Sequence, residues 1–296
     1  MIKISTEIRE ALSDPLEDHF CEFVRSNWGI EKIDDKSPTT LFGYFDSPED
    51  AAAEYAELRK AFPALPEKYG VEGVNDADWQ NEYKKYLKPW SCGPLHWVPV
   101  WMRGEYAVPA GAKALYFDAG MAFGTGDHPT TRLCAMELID ALAENPAEKS
   151  VIDAGCGSGI LAISARMLGA GKVFGFDRDP EAVRVSLENA EFNSIPEGGI
   201  EFAHSGIEGA LAGRKADIVL ANIISDVLCI YADNLAAAVK AGGKLVLSGI
   251  LAAENGEVKE CFLERCPRAK SARSAVMGDW SSLVLDCLLY TSDAAD

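Results

Sequence analysis

The sequence contains no run of about 18 uncharged apolar residues, so it predicts no transmembrane helix. The opening residues Met1–Glu7 lack the apolar core of a signal peptide. Only four histidines are present, and their spacing fits none of the common zinc motifs. None of the eight cysteines forms a C-x-x-C pair, which favours free thiols over disulfides. We therefore expect a cytoplasmic protein that holds no metal.

Basic residues are scarce relative to acidic ones. The chain has 28 Lys and Arg against 46 Asp and Glu, a formal net charge of −18 at pH 7. Nucleic acids and anionic membranes are bound through basic patches, so this balance argues against either as a direct partner. It suits a basic partner or a small cationic ligand, although solubility alone also explains an acidic surface.

The length and the pattern of elements predict more than one domain. A chain of 296 residues is expected to form about two domains. We predict a small α+β domain over residues 1–75. A linker helix and interdomain strands are predicted over 76–110, followed by a larger domain over 111–286. Residues 287–296 match no predicted element and are left out of the fold.

The larger domain alternates between strands and helices. The predicted strands are 114–117, 151–154, 172–177, 200–203, 217–221 and 244–248, followed by a closing hairpin of 270–275 and 282–285. The predicted helices are 129–142, 158–168, 180–192, 225–239 and 255–266. This alternation predicts an α/β fold with a doubly wound, mostly parallel sheet. Ligands of such sheets bind at the carboxyl ends of the strands.

A glycine-rich turn follows the predicted strand at 151–154. Gly155, Gly157 and Gly159 allow a sharp turn and the close approach of a ligand to the backbone. A dinucleotide fingerprint would place its third glycine at position 160, where Ile160 stands. The spacing therefore fits an S-adenosylmethionine (AdoMet) site better than a pyrophosphate site. A glycine turn without a ligand is the alternative.

Two further polar residues end predicted strands at the same edge of the sheet. Asp177 lies about 20 residues beyond the glycine turn, where an acid accepts hydrogen bonds from ribose hydroxyls. Asp179 precedes Pro180 and is expected to cap the next helix. Asn222 offers both an amide donor and a carbonyl acceptor. It suits cofactor positioning or binding of an amine, and equally a helix cap before Ser225.

The segment 123–131 carries two glycines and several hydroxyl residues ahead of a helix predicted to begin at Pro129. Exposed amides at such a helix start can bind a carboxylate. For His128 we favour a structural role over a catalytic one.

Together these segments resemble the bacterial ribosomal protein L11 methyltransferases, the PrmA family. The matching stretches are 118–126, 128–131, 153–160, 177, 179–180, 222–223 and 247–251. The resemblance implies a Rossmann-like class I AdoMet-dependent methyltransferase domain after a small N-terminal substrate-recognition domain. It also implies that AdoMet is bound by the residues matching the family's contacts, Thr131, Gly155, Asp177 and Asn222. The chain departs from the family pattern at Asp127, Ile224, 225–228 and 278–281, which are differences on the acceptor side.

The resemblance implies methyl transfer from AdoMet to lysine ε-amines and the N-terminal α-amine of a large-subunit ribosomal protein. Positioning is then the main catalytic contribution, and burial beside a sulfonium lowers the pKa of the acceptor lysine, so no catalytic acid or base is expected. Three alternatives stay open at this point. They are a related protein-lysine methyltransferase with another acceptor such as electron-transfer flavoprotein, a nicotinamide-dependent oxidoreductase, and a non-catalytic AdoMet-binding protein.

Overall fold

The structure is a computed structural model that describes residues 2–21, 27–32, 37–73, 87–118, 127–266 and 269–287. Its contacts divide the chain into two units, residues 1–86 and 87–296.

The first unit is an antiparallel sheet with helices on one face. Its elements are β1 (Ile2–Ile8), α1 (Ser13–Cys21), β2 (Trp28–Glu31), β3 (Thr39–Phe45), α2 (Pro48–Ala61) and β4 (Gly70–Gly73), with strand order β2-β3-β1-β4. Helix α2 begins where Ser47 accepts the backbone N–H of Asp50, with Pro48 in the first turn. Leu16, Leu41 and Tyr55 bring both helices and the sheet into one core.

Local patterns predict strands at 2–4, 40–45 and 71–74, helices at 15–24 and 48–62, and a linker helix at 76–89. In the described residues the three strands and the first two helices are confirmed, and β2 is a strand that these patterns do not predict. Part of the predicted helix at 15–24 and most of the predicted linker helix at 76–89 lie outside the described residues.

The second unit begins with a small sheet. Strand β5 (Trp90–Cys92) pairs antiparallel with β6 (Leu95–Pro99), which pairs in parallel with β7 (Lys113–Phe117). The rings of Trp90 and Trp97 stack with their centroids 3.9 Å apart. The indole N–H of Trp97 donates to the hydroxyl of Ser164 at 3.0 Å. The strands expected between the domains are therefore packed within the second unit.

The main sheet has seven strands in the order β10-β9-β8-β11-β12-β14-β13. These strands are β8 (Ser150–Ala154), β9 (Lys172–Asp177), β10 (Glu201–His204), β11 (Ala216–Asn222), β12 (Val239–Leu251), β13 (Ala269–Met277) and β14 (Trp280–Cys287). The first five in this order are parallel, and β14 runs antiparallel between β12 and β13. The strand order reverses at β8, which has β9 on one side and β11 on the other. The predicted doubly wound, mostly parallel sheet is confirmed.

The connecting helices are α3 (Pro129–Ala141), α4 (Ile160–Met167), α5 (Pro180–Phe192), α6 (Ile207–Leu211), α7 (Ser225–Ile230), α8 (Ala232–Ala237) and α9 (Asn255–Arg265). Helix α4 begins two residues later than predicted, because Gly159 has a φ of 76° and cannot belong to the helix.

One predicted helix is wrong in its extent. The region 225–239 forms two short helices separated at Tyr231, and Val239 already pairs with Ala216 in β12. No glycine or proline marks the break at Tyr231. The end of the second helix is set by the pairing of Val239 in the sheet. Two smaller differences concern α6, which was not predicted, and Cys287, which is buried in β14 rather than part of an unassigned tail.

Candidate functional site

A cavity of about 680 Å³ lies at the carboxyl ends of the parallel strands. Its lining includes Gly155, Asp177 and Asn222, which end β8, β9 and β11 or follow them directly. The cavity extends past β9 to Ile207 on one side and reaches Trp280 of β14 on the other. Three of the four residues expected at the cofactor are therefore together at the switch point of the sheet.

The glycine turn depends on the absence of side chains. Gly155, Gly157 and Gly159 all have positive φ angles, of 69°, 53° and 76°. A Cβ on Gly155 would lie 2.7 Å from the Cγ2 atom of Ile223. Residues with a Cβ are strained in this conformation, so the sequence requires glycine here on two counts.

Helix α5 holds the turn in place. The hydroxyl of Ser186 donates to the carbonyl of Gly157 at 2.8 Å, and the side-chain amide of Asn189 donates to the carbonyl of Ser158 at 2.8 Å. Asn189 also exchanges hydrogen bonds with the backbone of Asp118, at 2.8 and 3.0 Å. The backbone of the turn therefore faces the cavity as a fixed surface.

Asp177 presents a carboxylate that is already oriented. One oxygen accepts the backbone N–H of Gly157 and the other accepts that of Asp179, both at 3.0 Å. Each carboxylate oxygen can accept a further bond, so the group can still receive ligand hydroxyls. Asp179 caps α5 by accepting the N–H of Glu181 at 2.9 Å, as the sequence predicts.

Asn222 leaves one polar atom without a partner. Its side-chain nitrogen donates to the hydroxyl of Thr131 at 3.4 Å, whereas its Oδ1 atom is buried and has no hydrogen-bond partner among the described residues. The capping alternative for Asn222 is wrong, because Ile224 occupies the cap position of α7. A buried carbonyl oxygen without a partner, on a residue of the cavity wall, is a candidate acceptor for a ligand donor.

Thr131 does not line the cavity. It is 1% exposed and lies behind Asn222 in the first turn of α3, while its neighbour Thr130 reaches the cavity wall. The remainder of the segment 123–131 before Asp127 lies outside the described residues.

His128 and Trp280 form the far wall of the cavity. Their rings meet edge to face with centroids 4.8 Å apart. His128 also caps α3 and bonds the hydroxyl of Thr130 at 2.8 Å, which supports the structural role that the sequence favours. Burial holds the pKa of His128 below its usual value, so the ring is neutral near neutral pH. The sequence does not predict Trp280 here, and its only signal is the segment 278–281, which departs from the family pattern but still matches it in part.

Asp153 lies beneath the turn rather than in the cavity wall. It is 1% exposed and accepts the backbone N–H of Ala162 at 2.9 Å. Burial, with a smaller contribution from the charge of Asp177, raises the pKa of Asp153 to about 7. Its carboxyl joins β8 to α4 and so supports the turn.

Within the described part of the chain, no cluster of three or more His, Cys, Asp or Glu could hold a metal ion. None of the described helices has the length and apolar character needed to span a bilayer.

The residues present fit AdoMet. The glycine turn offers a surface that a Cβ would fill, Asp177 offers acceptors for hydroxyls, and Asn222 offers an unpaired oxygen. On a seven-stranded sheet of this order, these features define a class I AdoMet-dependent methyltransferase.

Comparison with known proteins identifies the family. The family model for ribosomal protein L11 methyltransferase (PrmA) matches residues 5–287, and the chain belongs to that family. The ribosomal protein L11 methyltransferase of Azotobacter vinelandii is 40% identical over 227 residues, which are 76% of this chain and 75% of that protein. The enzyme of the same name from Geobacter sulfurreducens is 38% identical over 277 residues, with coverages of 90% and 85%.

A solved structure agrees with this assignment. The ribosomal protein L11 methylase of Lactobacillus delbrueckii subsp. bulgaricus is 28% identical to this chain, with a TM-score of 0.59 over 67% of this chain and 96% of that one. The protein is therefore an AdoMet-dependent methyltransferase, and the alternative of a nicotinamide-dependent oxidoreductase is wrong.

Proposed function

We propose that this protein transfers methyl groups from AdoMet to lysine ε-amines, and to the N-terminal α-amine, of ribosomal protein L11 in the cytoplasm. The acceptor is inferred from the names of its relatives, and the kind of amine from the family resemblance.

The proposed cofactor site consists of Thr131, Gly155, Asp177 and Asn222. Asp177 accepts the ribose hydroxyls, with its carboxylate held in position by two backbone N–H groups. Gly155 lets the nucleoside approach the backbone of the turn. Thr131 contributes through its contact with Asn222, because it does not reach the cavity itself.

One observation carries the chemistry of the acceptor, the unpaired Oδ1 atom of Asn222. Bound AdoMet supplies a methyl carbon activated by a positively charged sulfur. A neutral amine that donates an N–H to Oδ1 has its lone pair held in one direction, which is the positioning that such a displacement requires. The hydroxyl of Thr131 accepts a hydrogen bond from the side-chain nitrogen of Asn222 and so fixes the orientation of the amide. In this orientation the Oδ1 atom of Asn222 is available to the amine.

The cavity also favours the neutral form of the acceptor. A free lysine has a pKa of about 10.4 and is charged at neutral pH. The cavity wall includes Ile223, Val227 and Trp280, and burial among apolar groups lowers the pKa of an amine. The neutral His128 adds no charge at this wall. No general base is needed in this proposal, and water can take the proton as the amine enters.

The first unit is proposed to bind the acceptor protein. It carries half of the net charge of −18 in fewer than a third of the residues. Such a surface attracts a basic protein and steers its approach.

The proposal is tested by incubating the enzyme with labelled AdoMet and the ribosomal proteins of a strain that lacks this methylation. We expect label in one protein, L11, and mass spectrometry should locate it on lysine side chains and the N-terminus. Label on carboxylates, on RNA or on a different protein would contradict the proposed acceptor.

A further inference from the structure

Helix α7 forms one wall of the cavity and is held from behind by α9. Val227 and Ile230 reach the cavity from one face of α7. Cys229, between them in sequence, packs against the hydrophobic core beside Cys261 of α9. The same helix therefore connects the cavity to a pair of thiols.

The contacts between these two helices converge on the thiol pair. The thiol of Cys261 donates to the carbonyl oxygen of Cys229 at 3.9 Å, so its sulfur atom lies against Cys229. Arg265 donates to the same carbonyl at 3.0 Å. Ser225, at the start of α7, bonds Glu254 at the start of α9. These contacts align the two helices and keep the sulfur atom of Cys261 next to Cys229.

The pair differs from the other thiols near the site. Cys134 and Cys156 are almost fully buried, and burial raises the pKa of both well above the usual value. Cys229 and Cys261 are only half-buried, so small molecules can reach them. Oxidants react with accessible thiols in preference to enclosed ones.

We propose that Cys229 and Cys261 are a dithiol site, at which a peroxide forms a disulfide that fixes α7 to α9. In the first step the Cys261 sulfur attacks a peroxide oxygen, the O–O bond breaks, and Cys261 becomes a sulfenic acid as one water leaves. In the second step the Cys229 sulfur displaces the hydroxyl of the sulfenic acid, so an S–S bond forms and a second water leaves. Two thiols are oxidised in total, and one peroxide is reduced to two waters.

The order of these steps follows from the surroundings of Cys229. Burial and the neighbouring Cys261 thiol raise the pKa of Cys229 to about 11, so it is mostly protonated and reacts second. A disulfide at this point restrains a helix of six residues that has no side-chain cap. The wall of the cavity loses freedom to move, and the folded protein gains stability because the unfolded chain is cross-linked.

The test uses the full chain treated with a small excess of hydrogen peroxide and then digested with trypsin. Cleavage after Lys259 and Arg265 puts Cys261 in a peptide without Cys266, and Cys229 is the only cysteine between Lys215 and Lys240. We expect these two peptides to be joined by a disulfide that dithiothreitol reverses. The oxidised protein should unfold at a temperature several degrees higher and should exchange the amides of Ser225–Ile230 more slowly.

Matched variants separate this site from general oxidation. Cys229→Ser and Cys261→Ser should each abolish the linked peptides and the rise in unfolding temperature, whereas Cys92→Ser, at another half-buried cysteine, should keep both. The proposal is overturned if the linked peptides are absent from folded, oxidised protein. Linkage of Cys261 to a different cysteine would overturn it as well.

Discussion

The side-chain amide of Asn222 donates to the hydroxyl of Thr131, which ties the end of β11 to the first turn of α3. In the orientation that this contact fixes, the Oδ1 atom is buried and has no partner among the described residues. An unsatisfied buried acceptor costs about 1–3 kcal/mol, so a ligand that donates a hydrogen bond to it gains that amount on binding.

The first prediction concerns this pair. Asn222→Ala should lower kcat for methyl transfer by roughly tenfold to hundredfold, because the amine loses the acceptor that orients it. Thr131→Val should lower kcat by a smaller factor, since Asn222 is still present but less well held. The double variant should be little worse than Asn222→Ala alone, as steady-state kinetics of all three variants would reveal. If the fold-decrease in kcat of the double variant equals the product of those of the two single variants, Thr131 acts independently of Asn222.

A second prediction tests the ribose contact. Asp177→Ala should weaken AdoMet binding at least about tenfold in calorimetry, because hydrogen bonds to a charged acceptor contribute about 1.5–3 kcal/mol. Asp179→Ala is the matched control, since Asp179 only caps α5. That variant should lose about 1 kcal/mol of stability while its AdoMet affinity is unchanged. Equal affinity in the Asp177 variant would remove this residue from the site.

A third prediction concerns the glycine turn. Gly155→Ala should destabilise the protein by about 1–3 kcal/mol and abolish measurable AdoMet binding, because the new methyl group meets Ile223 in a conformation that already disfavours it. Gly256→Ala, in helix α9, meets no atom within 4 Å and should leave both properties intact. Chemical denaturation and calorimetry measure the two effects. Normal AdoMet affinity in folded Gly155→Ala would argue against close approach at this position.

The fourth prediction is a pH dependence of stability. The pKa of Asp153 rises from 3.8 to about 7 on folding, so between these values the native state binds more protons than the unfolded state. Stability from this group is therefore lost as pH increases through that window. Asp153→Asn cannot ionise, so its stability relative to the unmodified protein should rise by about 3 kcal/mol between about pH 5 and about pH 8. Urea unfolding at both pH values measures the change, and a difference independent of pH would show that Asp153 is not perturbed.

A fifth prediction separates binding of the acceptor from binding of the cofactor. A chain that begins at Leu87 contains the complete second unit and should keep its affinity for AdoMet. It should methylate L11 far more slowly, because the proposed docking surface is missing. Filter-binding of labelled L11 and calorimetry with AdoMet give the two readouts. If the shortened chain methylates L11 at the full rate, the first unit has no role in docking.

Much of the cavity could be predicted because its signals are local. A strand, a glycine turn and a helix follow one another in the sequence, and parallel strands bring their carboxyl ends to one edge. That logic is enough to bring Gly155, Asp177 and Asn222 together. The capping role of Asp179 is also local, since a cap depends on residues within a few positions.

The features that were missed depend on contacts between distant segments. Trp280 reaches His128 only because β14 enters the sheet beside β12, and no local pattern encodes that neighbour. Thr131 lies behind Asn222 because of how α3 packs on the sheet. The end of the helical segment before Val239 is likewise set by the pairing of Val239 with Ala216, which overrides the helical tendency of an alanine-rich segment.

The most direct measurement is single-turnover transfer of labelled methyl groups from AdoMet to purified, unmethylated L11, by the unmodified enzyme and by Asn222→Ala. The account predicts stoichiometric label on amines of L11 with the unmodified enzyme, and a much slower reaction with a normal fold in the variant. An unmodified enzyme that binds AdoMet but leaves L11 unlabelled would contradict the account.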